Sequence, residues 1–581
     1  MNSLESELLT AAREGRLLDY IDEQWRAERD DRDPLSEELA RFHNEGKIDV
    51  VAAFGKLKNE KGSLDFFLTG HIFEKILPRI DAPILEVMEC VLHLYREAGD
   101  DLAAGSIFTP YTDFCAASTD RPKEAIRLVD TLGDKLAGLL TPSLVAGSRL
   151  DAEQYLDEAI RLSAHRDAVI KKEALFSLGR LEYPEEGDLP EKALTRLEQA
   201  MEEESEDSPL ANIIDSAFGL YKKRESLGTR VTGLIDTALA KGGDFSLYAA
   251  SRILFLGKKE IPEPLLDKLL LHLRRVNPSH KGILMYIDYG LEKLLAGKDW
   301  EKAIRFIEAL LSAHAEPLSI KALDGVIREL FKNRGGLLNR VMTRWFLRGE
   351  SVLCEAIYDV VSHGGLRNDL ILAVDGDELH PANPDQILFL ARKAIGYLFI
   401  RPVTAASIVL SLLEYVEDEK TKEKLTKLLF DPLLINYPGK VADYLKGQVE
   451  SETEAVQEVC KAALASLDQY MDDMKSARNI PELHPSQSQR EAYHRHHSKQ
   501  MSEIMRQGEE KSVLLPLVSK SVLLYGRRSV IYAGKSGDET SRRHIPLQKH
   551  SVSFEIPRLS HIDPFDMNYM LRVFQTEEIK A

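Results

Sequence analysis

From the first residue to about Ser476, apolar residues recur at three- and four-residue spacings, in segments of ten to eighteen residues closed off by Gly, Pro, Asp or Asn. That spacing makes one side of an α-helix apolar and leaves the other polar, so this part of the chain reads as a succession of short amphipathic helices. The start signals agree. In DRDPLSEELARF, Asp33 is placed to cap and Pro34 takes the first helical position, where its missing N–H costs nothing; Asn383 and Pro384 repeat the device in HPANPDQILFLARKAIGYLF. Roughly twenty to twenty-five helices are expected, with no β-hairpin among them. A chain of 581 residues exceeds the roughly 250–300 at which a single core stops growing. Helices that each carry one apolar face must then stack in series or divide into all-α globules.

Composition narrows the function classes. Hydrophobic residues at 44% and charged residues at 29% are those of a folded chain. The 76 Lys and Arg against 94 Asp and Glu give a net charge of -18, which opposes nonspecific binding of nucleic acid or anionic membrane by the chain as a whole. Cys90, Cys115, Cys354 and Cys460 lie far apart and form no CxxC pair, so neither a zinc ribbon nor a disulfide framework is expected, and a reducing cytoplasm fits. The acidic start MNSLESELL is unlike a secretory signal, and no run approaches the roughly 18 apolar residues of a membrane span. A soluble, cytoplasmic chain without a membrane partner is expected.

No strict repeat period emerges from the sequence, yet single helices carry repeat patterns. DAVIKKEALFSLGRL places Asp167, Ile170, Lys171, Ala174, Ser177, Leu178 and Gly179 where the second helix of a HEAT repeat has its Asp, Val-Arg, small, small, Leu and Gly positions. EAVQEVCKAALASL repeats the spacing with Val456, Cys460, Ala463 and Leu464, although Gln457 replaces the basic residue and Ala465 the glycine. GDLPEKALTRLEQAM is similar to a tetratricopeptide helix through Ala193, Leu197 and Ala200, and GKDWEKAIRFIEALL repeats its opening with Trp300 and Ala303 but has Leu310 where a small residue belongs. The chain thus resembles the HEAT, armadillo and tetratricopeptide group at the level of fold, which implies an irregular α-solenoid of stacked helix pairs over 1–478 and no particular activity.

The pattern changes near Asn479. NIPELHPSQSQ reads as a linker, and with the polar helix REAYHRHHSKQMSEIMRQGEEK it fills 479–511. Over 512–581, SVLLYG, RSVIYAG and HSVSFEIP favour strands, and Asp563 with Pro564 opens a last helix, so a small basic β-containing (α+β) module with a terminal helix is expected. From Pro485 to Ser560 there are 13 Lys and Arg against 7 Asp and Glu, leaving the rest of the chain at -24. Such a module either docks on the acidic solenoid or touches an anionic partner. In the second case Arg527, Arg528, Arg542, Arg543 and Lys549 meet phosphate, with Tyr525 and Tyr532 as stacking groups.

Chemical motifs are sparse. Gly534, Lys535 and Ser536 end like a phosphate-binding loop, but Ser529 stands where its first glycine is required and no helix follows, so a hairpin tip at KSGDE, with the arginine pairs facing across its arms, is the better reading. Glu491, His494 and His497 follow at three-residue steps, the best metal candidates, yet no HExxH and no second His or Cys cluster accompanies them. Pro384, Asp385, Asp418 and Lys420 imitate a nuclease PD...DxK pattern but fall on helices, and Asp375, Asp377, Glu378 and His380 read as an interhelical loop. With no GxSxG, GxGxxG or deaminase signature, neither catalytic residues nor a cofactor are assigned. The leading expectation is a noncatalytic scaffold for one or more protein partners; the alternatives are a nucleic-acid-associated protein using the C-terminal arginines and a metal-dependent hydrolase using the His-containing helix.

Overall fold

Helix ends are where the sequence's signals become structure, and in the computed structural model they do so repeatedly. Asp167 accepts from the Val169 and Ile170 N–H groups at the head of Ala168–Leu178, Asn383 from Gln386 N–H ahead of Pro384–Leu398, and Asp563 from Asp566 N–H ahead of Pro564–Thr576. The structure describes residues 3–27, 34–60, 64–99, 101, 103–257, 261–313, 318–333, 335–363, 369–450, 453–510, 520–523, 528–533, 541–546 and 555–579. Between 520 and 546 it describes backbone alone. Among these residues the protein is mainly α, and it divides into two compact units, Met1–Glu329 and Leu330–Ala581.

In the first unit alternate helices form two rows. The second row runs through Phe108–Ala116, Leu140–Ser148, Ala168–Leu178, Asp207–Lys223, Asp244–Leu256 and Lys281–Leu295, each packed closely on the next. The first row runs through Arg121–Leu132, Ala152–Leu162, Leu189–Glu203, Gly228–Lys241 and Glu263–Leu273, whose members turn into the second row through short connections. This is a helical-repeat stack: Leu210, Ile213, Ile214, Ala217 and Leu220 of one helix are sealed by its neighbours to 0% exposure, a burial that no helix pair achieves alone. Each such Leu or Ile contributes about 1.5–3 kcal/mol relative to exposure.

Polar groups link each repeat to the next at separations of 31 to 42 residues. Arg161 reaches Asp130, 31 residues back; Arg196 reaches Ser163, 33 back; Gly243 N–H and His272 reach Asp207 and Asp236, each 36 back. Lys293 donates to the Phe255 carbonyl 38 residues back, and Lys223 to that of Leu181, 42 back. Two chemical rules recur. An acid caps the next helix N-terminus in its row, as Asp207 does for Gly243, Phe245 and Ser246 and Asp288 for Gly325 and Val326. A cation closes the end of the previous helix, as Lys293 does on Phe255 in the second row and Arg275 on Leu239 in the first, while Lys223 holds the Leu181 carbonyl just beyond its helix.

The second unit continues helix on helix through Leu337–Arg348, Ser351–Ser362, Pro384–Leu398, Pro402–Ser411, Glu419–Leu428, Lys440–Gln448 and Glu454–Ala477. Its chain end returns to these helices. Glu555 accepts from Gly439 and Lys440 N–H, both at 2.8 Å; buried Asn436 brackets Arg558 and Leu559; Lys393 Nζ donates to the Gln575 carbonyl at 2.6 Å; and Arg392 holds both Glu577 oxygens at 2.6 Å.

The expected C-terminal β-containing module is not supported. Strands Lys520–Leu523, Arg528–Ala533 and Ser541–Pro546 pair antiparallel in chain order, but the terminal helix makes its contacts with Pro384–Leu398 rather than building a body with them. The arginine pairs do not face across the arms either: the register sets Arg528 opposite Pro546, Ile531 opposite Arg543 and Tyr532 opposite Arg542. The KSGDE tip lies outside the described residues.

Candidate functional site

Four consecutive second-row helices carry an aromatic residue followed four positions later by a cation: Phe176 and Arg180, Phe218 and Lys222, Tyr248 and Arg252, Tyr289 and Lys293. In the last three a four-residue step keeps both side chains on one helix face, while Arg180 follows its helix, two residues beyond Leu178. The opposite faces are committed to the core by Ile170, Ala174 and Leu178, by Ile213, Ala217 and Leu220, by Ala250 and Leu254, and by Ile287 and Leu291. The motif therefore lies along one surface of the row, one copy per repeat.

Each cation sits near a ring. The Arg180 guanidinium lies 3.2 Å from the Phe176 centroid and donates to that residue's carbonyl at 3.0 Å; Lys222 Nζ is 5.4 Å from Phe218, Arg252 6.0 Å from Tyr248, and Lys293 4.6 Å from Phe255 of the preceding helix. Aromatic contacts carry the surface from one helix to the next, with Tyr286 5.5 Å from Tyr248 and 5.3 Å from Phe255, and Phe255 5.5 Å from Tyr289. Phe245, Leu256 and Met285 stand exposed along it, at 63%, 53% and 48%.

Between Ala168–Leu178, Asp207–Lys223 and Asp244–Leu256 the surface deepens into a cleft of about 400 Å³ lined by Gly179, Arg180, Asp215, Phe218, Gly219, Lys222, Lys223, Arg252, Ile253 and Leu256. Its floor is a close backbone approach between Gly179 and the helix Asp207–Lys223. A Cβ on Gly179 would lie 2.4 Å from Ser216 Cα, and one on Gly219 2.5 Å from the Gly179 carbonyl oxygen, so only glycine fits at both points. Arg180 also lines a second cleft of about 620 Å³, with Tyr95, Phe108, Thr141, Val145, Arg149, Glu173 and Phe176.

The electrostatics are those of a cationic cleft in an acidic protein. Burial pushes Arg180 down to about 10, with Arg252 adding to the effect and Asp215 opposing it. Asp215 is raised by burial, which the nearby Arg252, Arg180 and Lys222 only partly offset. Arg252 stands 3.6 Å from the Asp215 carboxylate. The Ser216 hydroxyl beneath is committed to the Leu175 and Phe176 carbonyls, so the cleft holds donors and ring faces rather than an activated nucleophile.

The residues expected from sequence fall elsewhere. Arg527, Tyr525 and Lys549 lie outside the described residues; Arg528, Tyr532, Arg542 and Arg543 are on strands described by backbone alone, and the nucleic-acid reading built on them is not supported. Glu491, His494 and His497 share the helix Gln487–Glu510. Glu491 accepts from Gln487, both histidine rings pack on Tyr493, and no group of three or more His, Cys, Asp or Glu able to hold a metal occurs among the described residues. Asp418 and Asp375 are N-caps, bonded to Thr421 and Glu378 N–H, and Asp385 lies in the first turn of its helix. All four cysteines are buried; burial pushes three thiols up to about 12 and Cys460 to about 11, which makes them core residues. No described helix is long and apolar enough to cross a membrane.

No family model and no curated protein matches this sequence. Among solved structures, a chain from work on the phosphorylation switch controlling the interaction between cadherin and beta-catenin is similar at 15% identity and TM-score 0.25, covering 81% of this chain and 99% of its own. A chain from the Pds5–Scc1 complex is similar at 10% identity and TM-score 0.22, covering 81% of this chain and 86% of its own.

Proposed function

We propose that this chain is a noncatalytic interaction scaffold that holds a segment of a partner protein along the second row, over the surface from Phe176 to Lys293. The aromatic and cation pairs repeated on four consecutive helices carry the reading. Core packing needs neither the cations nor the exposed rings of Tyr248 and Tyr289, whereas a bound chain would use both. In the first cleft the Ser216 hydroxyl is committed to main-chain carbonyls, which supports holding rather than turnover there.

Affinity capture from cells that express the protein tests this. The wild type recovers a stoichiometric partner, Leu256→Asp and Tyr289→Asp lose it while keeping the wild-type circular dichroism, and Lys192→Glu, on the first row, retains it. A partner that survives both groove substitutions would overturn the assignment.

A further inference from the structure

Arg180 and Arg252 differ from three other arginines of the first unit. Arg161 closes on Glu158 and Asp130, Arg224 on Glu191 and Arg230 on Glu198, each through guanidinium bonds to carboxylate. Arg180 instead donates only to the Phe176 carbonyl, and Arg252 stops 3.6 Å short of Asp215, beyond hydrogen-bond reach. Lys222 Nζ lies 5.4 Å from the Phe218 ring and acts on Asp215 through its charge alone. Asp215 thus faces three cations, with Glu173 a further carboxylate acting on Arg180, beside a cleft with apolar walls at Ile253 and Leu256. In a chain of net charge -18, carboxylates to saturate these groups were plentiful. Their place here is left for an anion from outside.

Spacing defines the ligand further. Neighbouring helices pack with axes about 8–10 Å apart, and a peptide extended as polyproline II advances about 3.1 Å per residue and presents every third side chain to the same face. A chain laid along the row therefore passes a cation about every third residue. Resting on the scaffold reading above, we infer that the groove binds an extended acidic segment of a partner protein, with carboxylates at every third position set over Arg180, Lys222 and Arg252 and an apolar side chain between them against Phe218 and Leu256.

Fluorescence anisotropy with the full chain and labelled peptides of about twelve residues tests the inference. The probes are a Glu-x-x-Glu-x-x-Glu peptide with Leu and Ser between, its Gln counterpart, an isomer with the three Glu adjacent, a Lys counterpart, and an oligothymidine. The spaced acidic peptide is expected to bind best and to weaken with salt. Arg252→Glu should weaken it about tenfold or more, and Lys222→Glu with Arg252→Glu should transfer the preference to the Lys peptide, which a merely unfolded variant would not do. Equal binding of the Gln peptide or of the clustered isomer overturns the acidic, every-third-residue ligand while leaving the groove as a partner site. Tighter binding of oligothymidine overturns it in favour of nucleic acid. Binding of no probe overturns it outright, and the capture experiment then decides the scaffold reading separately.

Discussion

Gly179 and Asp207 do opposite jobs at neighbouring repeats. Gly179 lets two helices meet backbone to backbone, so Gly179→Ala must push a Cβ into Ser216, whose nearest atoms are main chain and cannot swing aside. The expected loss is about 1–3 kcal/mol in chemical denaturation, with a weaker groove as the helices part. Asp207 caps a helix it does not belong to. Burial opposes its charge, but bonds from the Ser246 hydroxyl and the Gly243, Phe245 and Ser246 N–H groups prevail and hold its carboxyl below the ordinary range. Asp207→Ala should therefore cost about 1–2 kcal/mol near neutral pH. A depressed carboxyl gives stability that is present above its unfolded value of about 3.9 and is lost as pH falls through the lower folded value. The difference between wild type and variant, measured by denaturation across pH, should shrink below about pH 4.

At the scale of elements, helix starts were legible and contact surfaces were not. Asp167, Asn383 and Asp563 announce helices because capping is local chemistry, complete within four residues. The aromatic and cation pairs also stand in the sequence at Phe176, Phe218, Tyr248 and Tyr289, but 42, 30 and 41 residues apart, so only the stacking that aligns the helices shows that they share a surface. The terminal helix illustrates the same limit. Asp563 and Pro564 announced its start, while its partner depended on Arg392, Lys393 and Gly396, far back in the chain. Arg392→Ala should loosen that docking by about 1–2 kcal/mol. Hydrogen exchange over 564–576 should then quicken while exchange over 168–295 stays at the wild-type rate.

For the whole molecule, the repeat is written in hydrogen bonds rather than in residue identities. Separations from 31 to 42 residues between bonded side chains, at Arg161 and at Lys223, show a period too variable for any sequence alignment to align. The chemical rule of acid to the next helix start and cation to the previous helix end survives changes in loop length that erase the period. Because each repeat bonds chiefly to its neighbours, damage should stay local: Asp207→Ala should raise exchange in Asp244–Leu256 and its adjoining helices and leave 384–477 unchanged. The central claim, that the second-row surface is where a partner lies, is tested most directly by hydrogen exchange of the full chain with and without the spaced acidic peptide. The account predicts protection confined to 172–182, 215–224, 244–257 and 281–295; protection elsewhere with none on these four stretches would contradict it.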